Sequence, residues 1–485
     1  MSNASKSSES SKSSHHPPKE IPGSYGVPFF GAMKDRWDFF YLQGRDLFFK
    51  SRMEKHNSSI FRANMPPGPW ISPDPRVVVL LDANSFPVLF DTSKVEKRDV
   101  LDGTYMPSTS FTGGHRVCAY LDTSEHKHGS LKALFQSFLA SKSHEFIPLF
   151  RSCMQSLFVE LEDGVRDPKG VEFGSLTDNL SFEFIFRLLC DGKCPSDTKL
   201  ESDGATMIKK WLVFQLTPLV TIGLHMMLNP IEDFLLHCMK LPFFLVKNDY
   251  NKVYEAFHSS ATSYLDKAEK SGISRDEACH NLVFVAGFNA FGGMSIWFPS
   301  LIKWVALAGE SVHRELVDEI RTVVQSEGGV TFNSINKMVL TKSVVYEALR
   351  IDPPVPYQYG RAREDMVIHS HDSAYKVKKG EMIFGYQPFA TKDPKIFDKP
   401  EEFVSHRFVG EEGEKLLKYV LWSNGRETDA PTMENKQCPG KDLVVLMSRL
   451  LLVELFLRYD TISVQAKSSG LTNTLTITSV TKATC

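Results

Sequence analysis

From Lys441 the chain reads KDLVVLMSRLLLVELFLR, and Leu443, Val444, Leu446, Met447, Leu450, Leu451, Val453 and Leu455 fall on every side of the helix this spacing describes. A helix that is apolar all round is stable only when protein surrounds it. The chain must therefore build a thick body around this segment, and 485 residues with 42% hydrophobic content and 35 Phe supply the material. The same helix opens abruptly on Cys438-Pro439-Gly440, so a thiol stands at the mouth of the most buried element the sequence predicts.

Periodicity elsewhere agrees with a mainly helical body. SLKALFQSFLAS, FIPLFRSCMQSLFVELEDGV, SYLDKAEKSG, EACHNLVFVAGFNAF and SVVYEALR all read as helices between about Ser130 and Leu349. RVVVLL (Arg76 to Leu81), DMVIHS, YKVKKGEMI and TLTITSVTK carry the β-branched signature of strands. The fold class expected is mainly α, of the α+β kind, with small sheets near the two ends and a long loop from Leu421 to Gln437. Residues 1–19 are Ser/Lys-rich and almost free of apolar side chains, which predicts disorder, and residues 20–485 read as one domain without a second linker or repeat.

Several classes of function are set aside by composition. Basic and acidic residues number 56 and 58, a near balance that gives no reason to expect nucleic acid as a partner. Eight cysteines are scattered without a second zinc-type pair, as in a reducing compartment. No run approaches the ~18 apolar residues of a membrane span and no secretory h-region precedes the globular part. The Ser-rich start lacks Arg and includes Glu9, so a plastid leader ranks below a cytoplasmic or peripheral membrane and lipid-body location.

What is Cys438 for? The N–H groups of the helix mouth, with Lys436 and Lys441 nearby, should favour a thiolate. A thiolate here could be a nucleophile or a metal ligand, and an ordinary packed cysteine remains the alternative. Two further features bear on the choice. Glu347 and Arg350 share one helix face at i, i+3 and can form a charge-assisted unit, which Arg407 in FDKPEEFVSHRF could reach.

The ordered set E-x-x-R, then R-F, then Cys resembles the cytochrome P-450 superfamily, whose cysteine is the axial ligand of heme b. Two departures narrow the resemblance. In the cysteine loop Pro431, Glu434 and Lys436 stand where the superfamily usually has Phe, Gly and Arg. In the central helix AGFNAFGGM places Asn289, Ala290 and Phe291 where the superfamily has an acid and two threonines that deliver protons to bound O₂. Neither Ala nor Phe relays a proton. The resemblance then implies a substrate that already contains an O–O bond, opened homolytically without O₂ or a reductase.

These departures are similar to one branch, the plant fatty-acid hydroperoxide-metabolising cytochromes: allene oxide synthases, hydroperoxide lyases, divinyl ether synthases and epoxyalcohol synthases. The likeness runs from about Glu20 to the C-terminus through IPGSYGVPFFGAMKDR, RANMPPGP, KVEKRDVLDGTYMPS, FNAFGGM, PPVPYQYGRA, GYQPFATKDPKIF and WSNGRETDAPTMENKQCPGKD. It implies Cys438 as proximal heme ligand and Lys97, His128, Lys132 and Lys436 as holders of the heme propionates. Asn289 is implied to lie over the iron and hydrogen-bond the hydroperoxide. Ser295 departs from the lysine usual in the branch's allene oxide synthases. Leu101 and Ala119 replace the Phe and Ser usual there, an apolar pair similar to hydroperoxide lyases. Losing an aromatic face should cost a cationic route about 1–2 kcal/mol, which tilts a product ratio without forbidding either product.

The expectation from the sequence is accordingly a fatty-acid hydroperoxide lyase, cleaving 9- and/or 13-hydroperoxides of linoleic or linolenic acid to an aldehyde and an ω-oxo acid. Allene oxide synthase and epoxyalcohol synthase on the same C18 substrates are the alternatives, and a structural protein of lipid particles is the non-enzymatic one.

Overall fold

Arg76–Leu80 is the element whose sequence explains its place most directly. Four of its five residues are buried, and alternation splits them between two clusters. Val78 and Leu80 pack with Ile60, Phe86, Ile383 and Leu421, whereas Val77 and Val79 pack with Phe48, Phe49, Phe61 and Phe384. A strand buried on both faces has to be internal to its sheet.

The computed structural model describes residues 17–469 and 472–483. Its largest sheet has five strands, β1 (Ile60–Asn64), β2 (Arg76–Leu80), β3 (Val95–Glu96), β5 (Tyr357–Ala362) and β8 (Met382–Tyr386), in the order β1-β2-β8-β5-β3. Only the β2–β8 pairing is parallel. β4 (Val171–Glu172) joins the C-terminal hairpin β11 (Tyr459–Ser469) and β12 (Thr472–Lys482). β6 (Met366–His369) pairs β7 (Ala374–Val377), and β9 (Leu421–Trp422) pairs β10 (Gly425–Arg426). That last hairpin lies inside the segment expected to be a loop. Lys19, expected within the disordered start, instead bridges Tyr375, with its N–H on the Ala374 carbonyl at 2.8 Å. The rest of that expectation, residues 1–16, lies outside the described residues.

Helices make the bulk, as expected. The N-terminal ones are α1 (Phe30–Trp37) and α2 (Arg45–His56), followed by α3 (His126–Ser141), α4 (Phe146–Gly164) and α5 (Phe173–Leu189). The helix Lys441–Arg458 buries Met447, Leu450, Leu451, Leu452, Val453, Leu455 and Phe456 completely. Against it runs the central helix, continuous from Arg275 to Leu307. By length and composition this helix could cross a membrane, but Leu282, Val283, Phe298, Leu301 and Ile302 are fully buried in protein, so it is a core element.

The central helix is α-helical over Arg275–Phe284, widens to a π-helical turn over Val285–Phe291, and resumes as Gly292–Leu307. Its glycines explain the close approach of a neighbour. A Cβ on Gly287 would lie 2.6 Å from Ile208, and one on Gly292 would lie 2.8 Å from Leu212, both on the helix Gly204–Leu216. The unusual composition of AGFNAFGG therefore has a packing cause as well as a chemical one. Single π-turns concentrate at functional sites because they push one side chain out of register.

Candidate heme-thiolate site

The Glu347/Arg350 pair is entirely buried, although i, i+3 pairs are commonly surface features. Arg350 donates to Glu347 through Nε at 2.7 Å and through a second guanidinium nitrogen at 2.8 Å. Arg407 adds Nε donations of 3.0 Å to both Glu347 oxygens, and the Val404 N–H adds another at 2.9 Å. Arg350 also caps the Pro400, Thr391 and Glu402 carbonyls. Every lone pair and donor of the charged core is thus used, the condition under which a buried ion pair is tolerable. The unit fastens the helix Val339–Ile351 to the segment 391–407.

Cys438 stands where the cysteine loop meets the helix Lys441–Arg458, and its N–H donates to the Ser423 carbonyl at 3.2 Å. One expectation fails here. Burial pushes the Cys438 thiol above its usual pKa range, and the Gly440 N–H and the Lys132 charge only oppose that. Lys441 contributes little because it is engaged by the Glu427 carbonyl at 2.8 Å and by Asp442 at 3.0 Å. Desolvation outweighs the helix mouth, so the protein by itself favours the thiol. A directly bound metal cation deprotonates a coordinating thiol outright, which makes this cysteine a thiolate only as a ligand.

Around the loop gather the cations that the sequence singled out. Lys97 and Lys132 are 4% exposed and His128 is 1% exposed, with Lys436 partly buried beside them. α3 presents His128 and Lys132 one turn apart. Lys97 donates to Asn424 Oδ1. Lys132 donates to the Asn435 carbonyl at 2.6 Å and to its side chain at 2.9 Å. Lys436 caps the carbonyls of Cys118, Ala119 and Leu121. Among the described residues none of the three lysines lies within 4 Å of a carboxylate.

The electrostatic result is strong. Burial lowers Lys97 to about 7, helped by Lys436. Burial lowers Lys132 to about 8, again with Lys436 contributing. Burial lowers His128 to about 4, with Lys436 and Lys132 adding to it, and its Nδ1 has no partner. Asp122, the acid that acts on Lys97, His128 and Lys436, is committed to the Lys97 and Ser124 N–H groups and to Arg363. Three desolvated amines with no carboxylate within 4 Å among the described residues, beside a buried imidazole, are what a dianionic ligand would require. The donor set fits the two propionates of a heme on this observation.

The opposite wall comes from the central helix. Its π-turn leaves Asn289 exposed in the middle of an otherwise buried helix, and Ile296, two turns on and on the same face, is 61% exposed. An uncovered face bearing one amide and an aliphatic side chain suits a flat apolar ring. The neighbouring segment ties both walls together: the Cys118 N–H donates to Asn281 of the central helix at 2.9 Å, while Lys436 of the cysteine loop holds the carbonyls on either side. Ala119 lies within that tie. Leu101 follows Lys97 and Asp99, whose N–H bonds to Tyr120 at 2.9 Å, and both Leu101 and Ala119 pack against the main core. The Ser295 hydroxyl is buried without a partner.

Cys438, Lys97, His128, Lys132, Lys436 and Ala119 are thus brought together around the cysteine loop and α3, whereas Asn289 stands on the central helix and Leu101 on the segment after Lys97. Sequence reasoning missed Asn424 and Asn435, which receive Lys97 and Lys132. Their signal is present in retrospect: Asn424 takes positive φ (61°) in front of Gly425, a turn position that asparagine favours.

The comparisons agree with this geometry. Residues 305–482 match the family Cytochrome P450. The chain is 54% identical to "Allene oxide synthase 3" of Solanum lycopersicum over 96% of this chain and 95% of that protein. It is 54% identical to "Allene oxide synthase 1, chloroplastic" of the same species over 100% and 90%. It is 52% identical to "Allene oxide synthase, chloroplastic" of Arabidopsis thaliana over 96% and 90%. These names overturn two expectations. The lyase reading rested on Leu101 and Ala119, and a pair worth about 1–2 kcal/mol is too small to decide the product against likeness along the whole chain. The ranking of the plastid below the cytoplasm rested on a composition argument about residues 1–19, and relatives of this similarity bear chloroplastic names. The cofactor is heme, and the chain belongs to the plant fatty-acid hydroperoxide-metabolising branch of the cytochrome P-450 superfamily, a family of heme-thiolate enzymes.

Proposed function

We propose that this protein is an allene oxide synthase, a dehydratase of C18 fatty-acid hydroperoxides. The observation that carries the reading is its identity of 54% over 96% of its length to a relative of that name. In this reading Cys438 is the proximal ligand, Lys97, His128, Lys132 and Lys436 hold the propionates, and residues 20–485 form one heme-thiolate domain. When bound, the heme supplies the reversible one-electron exchange that lets the O–O bond open and the last electron return. The balance is the loss of one water from the hydroperoxide, so no reductase and no O₂ are consumed.

The chain's own residues do the rest. Asn289 donates an amide N–H to a peroxide oxygen and orients it, but it offers no acidic proton that would divert the bond toward heterolysis. Ala290 and Phe291 withhold the hydroxyls that would carry one. Leu101 and Ala119 wall the reacting carbons with apolar surface, so water is kept from an electron-poor carbon and proton loss to the allene oxide is favoured over trapping. Delivery of the substrate from a lipid surface is supported by exposed Phe30, Met226, Met227 and Phe244, and a plastid address by the chloroplastic names of relatives.

The test is anaerobic turnover of 9- and 13-hydroperoxides of linoleic and linolenic acid by heme-loaded protein without reductase, with products trapped within seconds for mass spectrometry. Ketols and cyclopentenones derived from an allene oxide are expected. Aldehydes with ω-oxo acids as the main products, or a requirement for NADPH, would overturn the reading.

A further inference from the structure

Homolysis of an O–O bond is harmless to the protein only while the organic radical stays to give its electron back. If that radical leaves, the pocket is left one oxidising equivalent above rest, and neither the amide of Asn289 nor the aliphatic Leu101 and Ala119 can supply an electron. Tryptophan and tyrosine can, and one row of aromatic rings leads from the π-turn to the surface. Phe288, half-buried and next to Asn289 in the chain, stacks on Phe284 with ring centroids 4.7 Å apart, and Phe284 meets Trp211 edge-on at 6.2 Å. A Cβ on Gly287 would lie 3.0 Å from Trp211, so the indole is pressed against the π-turn itself. Trp211 stacks on Tyr250 of the helix Lys247–Ser260 at 5.7 Å. Tyr250 lies parallel to His280 of the central helix at 5.9 Å, and His280 stacks on Tyr254 at 4.4 Å. These are the separations of rings in direct contact. Trp211 and Tyr250 are fully buried, whereas Tyr254 is half-buried and opens the row to solvent.

Phenylalanine would satisfy packing at each of these places. The polar atoms instead form a second chain alongside the rings. The Tyr250 hydroxyl and His280 Nδ1 are 2.6 Å apart, and His280 Nε2 stands 3.5 Å from the Asp276 carboxylate. With its proton on Nε2, facing Asp276, the imidazole leaves Nδ1 to accept from the phenol. The Tyr254 hydroxyl donates to the same carboxylate at 2.7 Å, and His115 Nε2 holds its other oxygen at 2.9 Å. Gly113, at φ 63°, makes room for this arrangement, since a Cβ there would overlap the His280 ring. Burial holds His280 below the usual imidazole range and Tyr250 well above the usual phenol range, so the base is neutral and the phenol protonated. A phenol gives up an electron readily only when its proton has somewhere to go at once, and a hydrogen-bonded neutral imidazole is such a place. The Trp211 N–H, by contrast, meets only the Phe111 carbonyl at 3.0 Å. That carbonyl is too weak a base to take the proton, so an oxidised indole stays able to draw an electron from Tyr250.

We propose that Trp211, Tyr250, His280 and Tyr254 form a relay that carries an oxidising equivalent stranded in the heme pocket to the protein surface. Trp211 gives one electron to the pocket, which returns to rest. Tyr250 restores that electron to the indole and passes its phenolic proton to His280 Nδ1. Tyr254 then reduces the Tyr250 radical, releasing its own proton to Asp276 while His280 hands its proton back to Tyr250. A one-electron reductant in solution, of the ascorbate class, reduces the Tyr254 radical as Asp276 returns the proton. Overall one electron and one proton leave the donor and the same number enter the pocket, the proton by way of solvent. The relay goes beyond the proposed function and rests on it only for the homolytic opening of a hydroperoxide.

The experiment mixes heme-loaded full-length wild type, Tyr250→Phe and Tyr254→Phe with a linoleic acid hydroperoxide, freezes samples within milliseconds for electron paramagnetic resonance, and in parallel follows hydroperoxide loss until it stops. Wild type should show a neutral tyrosyl radical that ascorbate removes. Tyr250→Phe should lose that signal and stop after severalfold fewer turnovers, with its initial rate and heme absorbance unchanged. Tyr254→Phe should keep the signal but lose its removal by ascorbate. The same signal and the same number of turnovers in wild type and Tyr250→Phe would overturn the relay, as would a fall in initial rate matching the fall in turnovers. A wild type that consumes hydroperoxide without any tyrosyl signal overturns the relay alone. A wild type that consumes no hydroperoxide overturns the proposed function, and the relay with it.

Discussion

Lys97 offers the sharpest check on the cationic cluster, because its charge state links stability to heme. In the folded protein burial, aided by Lys436, lowers it from 10.5 to about 7. The unfolded chain restores the ordinary value. A lowered amine pKa means that the unfolded state binds more protons between these two values, so stability is deficient near neutrality and rises with pH. Between pH 7 and pH 9 the folded protein sheds the Lys97 proton almost completely while the unfolded chain keeps it, and integrating the difference gives about 2 kcal/mol from this one residue. Bound propionate would reverse the preference, since an adjacent anion favours the charged amine. Thermal unfolding of heme-free and heme-loaded protein at pH 7 and pH 9, for wild type and Lys97→Met, isolates the effect. The heme-free wild type should gain a few degrees at pH 9 relative to the variant, and the heme-loaded protein should lose that gain. If heme-free wild type and Lys97→Met show the same dependence on pH, Lys97 is not held as a desolvated amine and the propionate argument loses its main support.

Three further outcomes are expected. Glu347→Gln leaves two buried guanidinium groups without their carboxylate and should cost about 3–5 kcal/mol, read as a fall in the denaturant midpoint with loss of heme retention. Asn289→Ala should lower kcat for hydroperoxide at least tenfold, the scale of one hydrogen bond to a reacting oxygen, without changing the heme absorbance. Leu101→Phe restores an aromatic face beside the reacting carbons and should reduce any aldehyde side product relative to ketol by up to about tenfold, measured by mass spectrometry of trapped products.

Reading a chain of this kind succeeds where the chemistry is local. The all-round apolar spacing after Lys441 demands a buried helix, and Met447 to Phe456 are buried as that spacing requires. His128 and Lys132 at i, i+4 share a helix face whatever surrounds the helix. The missing acid and hydroxyls at Asn289, Ala290 and Phe291 are readable letter by letter. Composition also places the cysteine at a helix mouth, but it misjudges the thiol, because the pKa of Cys438 depends on how much water the whole fold removes, a quantity no window of sequence contains.

What the sequence by itself determined, then, is the set of elements and the identity of the groups that bear charge or withhold a proton. Tertiary structure decided which of those groups meet. It carried Lys97, Lys132 and Lys436 from separate parts of the chain into one desolvated cluster, and it turned Glu347 and Arg350 from a possible surface pair into a saturated core. The physical reason is that burial and Coulomb interaction depend on distance through space, and neighbours along the chain account for only a small part of either.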